Sequence, residues 1–134
     1  MLLTRRYRFA ASHRLNTEAL SPEENTRLYG KCNNPYGHGH DYVLDVTVEG
    51  RMHRDGQVVD RQALDTLVSE QVLARIDHRN LNCDVPELAE RVPTTENLAS
   101  AIEDMLKRRW KLPARLAKVR ISETAKNTFE LETK

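Results

Sequence analysis

Apolar and polar positions change period four times along the chain, and each change marks an element. Residues 3–14 alternate, with Tyr7, Phe9, Ala11 and His13 on one face, which predicts a strand. A polar stretch, NTEALSPEENTRLYG, follows and reads as a loop with at most one helical turn. From His38 to Glu49 the period is two. His38, His40, Tyr42, Leu44, Val46 and Val48 share one face, Asp41, Asp45, Thr47 and Glu49 the other, and Val43 is the exception. Asp55-Gly56 marks a turn, and Asp60 caps a predicted helix running to about Ile76. Its stripe is Leu64, Leu67, Val68, Val72 and Ile76. A second helix starts near Pro93-Thr94-Thr95, buries Leu98, Ile102, Met105 and Leu106, and ends in Lys107, Arg108, Arg109 and Lys111, where cations suit the C-terminal dipole. Pro113 stops it. Ala117, Val119 and Ile121 then alternate with Lys118, Arg120 and Ser122, and Phe129 and Leu131 form a return strand. The order ββααββ predicts one α+β domain over residues 1–134, an antiparallel sheet with two helices on one face.

Composition narrows the function classes. The chain has 134 residues with 21 basic and 20 acidic side chains, a net charge of +1, which offers no electrostatic reason for a nucleic acid or anionic membrane partner. No apolar run approaches the roughly 20 residues of a spanning helix, and the N-terminus lacks a secretory apolar region. Two cysteines, Cys32 and Cys83, exclude a disulfide framework and fit a reducing cytoplasm. A hydrophobic content of 39% is low for a self-sufficient core and points to burial shared between subunits.

The chemistry concentrates in Cys32-Asn33-Asn34-Pro35-Tyr36-Gly37-His38-Gly39-His40. Two histidines two apart on a strand share a face, roughly 6–7 Å apart at the backbone, which suits two ligands of one ion. His13, in phase on the neighbouring strand, is the natural third. Three imidazoles and an open position form a catalytic zinc arrangement; the plain alternative is a set of hydrogen-bonded strand histidines. Cys32 fits a fourth ligand, a base or nucleophile beside the ion, or a small buried hydrophobe; in a polar loop near a cation its thiol pKa would fall. Asp77-His78 pairs a carboxylate with an imidazole, a proton-transfer unit or simply the end of a helix. Glu123 continues the apolar phase, where an unpaired carboxylate is costly; a ligand with adjacent N–H donors or a route to solvent would compensate it. Thr94, Thr95 and Glu96 read as a helix cap.

FAASHRL (residues 9–15), CNNPYGHGHDY (32–42), IDHRNLN (76–82), PTTENLA (93–99) and ISETAKN (121–127) together closely resemble the 6-pyruvoyl-tetrahydropterin synthase family, which includes the 6-carboxy-tetrahydropterin synthases of the queuosine pathway. The resemblance implies zinc on His13, His38 and His40, a catalytic group of Cys32, Asp77 and His78, Glu123 as anchor of the pterin's amino-pyrimidine edge, and a pterin pocket lined by Thr94, Thr95 and Glu96, partly across a subunit boundary. It implies the T-fold, a barrel closed by oligomerisation into a hexamer of stacked trimers, and 7,8-dihydroneopterin triphosphate as substrate with no redox cofactor. In that family Cys32 corresponds to a proton-transferring thiolate and not to a zinc ligand. The five residues between Cys32 and His38 match the pyruvoyl-forming branch, while many carboxy-forming members have three. Arg61 and Cys83 depart from the family pattern outside its motifs.

Overall fold

The computed structural model describes all 134 residues, Met1–Lys134. Its strands are β1 (Leu2–His13), β2 (His38–Glu49), β3 (Arg79–Asn80), β4 (Arg115–Ser122) and β5 (Thr128–Glu132), and its helices are α1 (Pro22–Tyr29), α2 (Arg61–Val68), α3 (Ala74–Ile76) and α4 (Thr95–Arg108). The sheet order is β3-β1-β2-β4-β5. The ββααββ core is as the pattern predicts, with α1 and β3 added. No helix is long and apolar enough to cross a membrane.

One face of the sheet carries the core. Phe9, Ala11, Tyr42, Leu44, Val46, Val119 and Ile121 pack with Leu64, Val68, Val72 and Ile76 of the α2–α3 run and with Leu98, Ile102, Met105 and Leu106 of α4. The opposite face is polar and pairs across strands: Arg6 grips Asp45 through Nε at 2.9 Å and Nη2 at 3.1 Å, and Thr4 meets Thr47 at 2.7 Å. Asp60 caps α2 by accepting from the backbone N–H of Gln62 and Ala63.

Four departures from the predicted pattern have local causes. The loop before β2 contains the eight-residue α1, opened by Ser21 and Glu24 in a reciprocal capping box with Pro22 in its first turn. A π-helical turn, Ser69–Leu73, joins α2 to α3. In β4 the buried residue is Leu116 and not Ala117, because an irregularity between Thr47 and Val48 leaves Ala117 without a partner on β2 and shifts the phase. The sheet is also not wholly antiparallel: β3 runs parallel to β1, pairing Ala11 with Arg79 and Ser12 with Asn80.

That short strand belongs to a strap, residues 77–82, laid along β1. Ala10 N–H donates to Asp77 Oδ1 at 3.0 Å, and His78 N–H donates to Ala10 C=O at 2.6 Å. Leu81 N–H donates to Ser12 C=O at 2.8 Å. Asn82 closes the series, accepting from Arg14 N–H at 2.6 Å and donating to its carbonyl at 2.9 Å. The strap ties down the end of β1 that carries His13.

Candidate functional site

His13 and His40 enter the site because β1 and β2 pair in a register that sets His13 opposite His38 and Ala11 opposite His40. Both side chains lie on the core face at the end of the sheet. His13 is fully buried, and its Nδ1 lies 2.9 Å from the carbonyl of Pro93, just before α4. A carbonyl only accepts, so Nδ1 carries the proton and Nε2 presents a lone pair. His40 Nε2 faces that lone pair at 3.1 Å. Cys32 Sγ lies 3.6 Å from His40 Nε2, and Glu123 Oε1 lies 3.4 Å from it. One ligand atom from each of His13, Cys32, His40 and Glu123 falls within 4.8 Å of all the others.

The donor set fits a cation. At 3.1 Å the two ring nitrogens either share one proton, with His40 Nε2–H donating to His13, or hold an ion between them. Burial lowers the pKa of both His13 and His40, which disfavours the imidazolium and keeps both rings neutral, the form that ligates a metal. Nitrogens on a tetrahedral zinc, at about 2.0–2.1 Å from the ion, stand roughly 3.3 Å apart, close to the spacing found. The expectation of a lowered Cys32 pKa rests on a nearby cation; without one, burial pushes the thiol up, and the Glu123 carboxylate adds to this. The protein's own groups therefore favour the thiol, and a thiolate there depends on cationic charge.

The remaining candidates separate. The His38 ring is exposed, its centroid 4.7 Å from that of His40, and it lies outside the converging set. Thr94 caps α4 by accepting from Asn97 N–H. The buried Thr95 hydroxyl donates to Glu123 Oε2, and Glu96 is exposed. Asp77 Oδ1 lies 3.0 Å from His78 Nδ1, and His78 is held at a φ of 60° by the strap. Asp77 and His78 do not join the Cys32 cluster within one chain; His78 and His40 instead border one open groove of about 540 Å³. Sequence reasoning missed the Pro93 carbonyl, which no side-chain pattern signals, and the direct approach of Glu123 to His40.

The fold and the site define an α+β domain that gathers two imidazoles, a thiol and a carboxylate at one end of its sheet, a set that could hold a metal ion. The family model for 6-pyruvoyl tetrahydropterin synthase matches residues 2–134. The chain is 47% identical over 127 residues to the 6-pyruvoyl tetrahydrobiopterin synthase of Poecilia reticulata, covering 93% of this chain and 85% of that one. It is 46% identical over 126 residues to the protein of that name from Homo sapiens, covering 93% and 86%. The solved structure of Caenorhabditis elegans 6-pyruvoyl tetrahydropterin synthase superposes with a TM-score of 0.92 at 41% identity, covering 100% of this chain and 96% of that one. The chain belongs to the 6-pyruvoyl tetrahydropterin synthase family, a family of lyase-type enzymes with the T-fold.

Proposed function

We propose that this chain is a zinc-dependent 6-pyruvoyl-tetrahydropterin synthase, converting 7,8-dihydroneopterin triphosphate to 6-pyruvoyl-tetrahydropterin with loss of triphosphate. The observation that carries the reading is the pair of facing imidazole nitrogens with a thiol and a carboxylate beside them. His13, His40 and the adjacent, exposed His38 would hold the zinc. Bound there, zinc supplies Lewis acidity toward the substrate's side-chain oxygens and acidifies the neighbouring C–H and O–H bonds.

The protein's residues divide the remaining work. Cys32 Sγ, at the edge of the histidine pair, removes a carbon-bound proton. Glu123 accepts the two N–H groups of the amino-pyrimidine edge, with its other oxygen fixed by the Thr95 hydroxyl. Thr94 and Glu96 flank this end of the pterin pocket. The Asp77 carboxylate beside His78 Nδ1 favours a proton there, which would leave Nε2 to relay protons during the internal redox shift and triphosphate elimination. His78 is 82% exposed, and in a cytoplasmic hexamer of stacked trimers it is offered to a site completed by the neighbouring subunit.

A second reading has an observation of its own: the converging set includes Cys32 and Glu123 but not His38. Four protein ligands would close the site and make it structural. The reaction has its own alternative, a 6-carboxy-tetrahydropterin product released with acetaldehyde and triphosphate. The five-residue gap before His38 favours the pyruvoyl product. Mass spectrometry of products from dihydroneopterin triphosphate decides between them. The expected result is the 6-pyruvoyl pterin and triphosphate without acetaldehyde. Acetaldehyde with a 6-carboxy product would transfer the chain to the other branch, and no turnover by the zinc-loaded protein would support the closed site.

A further inference from the structure

Asn33, next to Cys32, has no part in the chemistry above, yet it is buried and fully engaged. Its Nδ2 donates to the Leu15 carbonyl at 2.7 Å and to Asn16 Oδ1 at 3.0 Å. Thr26 Oγ1 lies 3.2 Å from its Oδ1, and Arg14 Nε donates to its backbone carbonyl at 3.2 Å. Leu15 N–H in turn donates to the Cys32 carbonyl at 2.7 Å. Leu15 is therefore bonded on both sides: to the backbone of Cys32 through its N–H, and to the side chain of Asn33 through its C=O.

These bonds fasten the thiol-bearing turn, Gly30–Asn33, to the three residues that follow His13. The far end of the segment is held independently. Gly37 has a φ of 80° and sits so close to His13 that a Cβ there would lie 2.8 Å from its carbonyl oxygen. The segment between Cys32 and His38 is thus pinned to β1 at both ends, and only Asn33 does so with a side chain.

We infer that Asn33 is a positioning residue that fixes the Cys32 thiol relative to the His13–His40 pair. This rests on the proposed role of Cys32 as proton acceptor. An error of about 1 Å in such a group costs on the order of 100-fold in rate, while substrate anchoring by Glu123 lies on another element and is untouched.

Asn33→Asp keeps the shape but turns a carboxylate oxygen toward the Leu15 carbonyl and Asn16 Oδ1. Thr26→Val is a milder variant at an exposed position that removes the contact to Oδ1 together with a hydrogen bond to the Pro22 carbonyl one turn back in α1. Zinc content, kcat, KM and the iodoacetamide alkylation of Cys32 are measured on the zinc-loaded protein, with exposed Cys83 as the internal reference thiol. The expected result for Asn33→Asp is unchanged zinc, KM within about twofold, kcat lower by roughly 10–100-fold and a raised Cys32-to-Cys83 alkylation ratio, with smaller changes of the same sign in Thr26→Val. An unchanged alkylation ratio, or a loss confined to KM or to zinc, would overturn the inference. A Cys32→Ala variant that still turns over would instead overturn the role on which it rests, and the alkylation ratio, which needs no turnover, separates the two failures.

Discussion

At the scale of single residues, the carbonyl of Pro93 decides which nitrogen of His13 can meet a cation, and the hydroxyl of Thr95 decides how Glu123 presents its carboxylate. Glu123→Gln should keep zinc and raise KM for the pterin triphosphate by roughly 10–100-fold, since a hydrogen bond to a charged group is worth about 1.5–3 kcal/mol. Steady-state kinetics with metal analysis checks this; a variant with unchanged KM would remove Glu123 from the pterin edge. His13, His40 and Glu123 were legible in the sequence because strand phase puts a side chain on a definite face, and Cys32 because it stands in the loop that leads into His38. Pro93 and Asn33 were not: one acts through its backbone, and the other through bonds to a chain segment that only the folded loop brings near.

At the scale of elements, the helix after Asp60 shows how spacing dictates geometry. Leu64, Val68, Val72 and Ile76 are all fully buried and strictly four apart. On a 3.6-residue helix that spacing drifts by about 40° per step. The π turn at Ser69–Leu73 takes up more residues per turn and keeps the stripe on the core. Helix and strand identities were legible from period, but this turn, the β4 irregularity and the strap were not, since each depends on a neighbouring strand. The link from β1 to α2 is polar: Arg5 grips Asp65 through Nε at 3.1 Å and Nη2 at 2.6 Å, and the Tyr7 hydroxyl donates to the same carboxylate at 2.6 Å. The Arg5 hydrogen bond holds the Asp65 carboxyl below its ordinary 3.8. Its contribution is therefore complete above pH 3.8 and is lost as the pH falls through the lowered value. Urea unfolding of the wild type and Asp65→Asn should show a stability gap at pH 7 that narrows below pH 3.8; a gap constant down to pH 3 would show that the carboxylate's charge does not hold β1 to α2.

At the scale of the whole molecule, one sheet face is covered by α2–α3 and α4, while the other carries ion pairs and hydroxyls such as Arg6–Asp45 and Thr4–Thr47. β5 ends the sheet as an edge strand, and the strap leaves His78 turned outward, away from the thiol of its own chain. The thin hydrophobic content, the free edge strand and the exposed His78 are the features on which the proposed assembly into a barrel rests. The central claim is that zinc sits on the histidines of a shared site with Cys32 beside it and not on it. Native mass spectrometry of Cys32→Ala tests this most directly, because it reads subunit number and metal together. The account predicts a hexamer carrying about one zinc per chain, catalytically dead. A monomer, or a hexamer that has lost its zinc along with its activity, would contradict it.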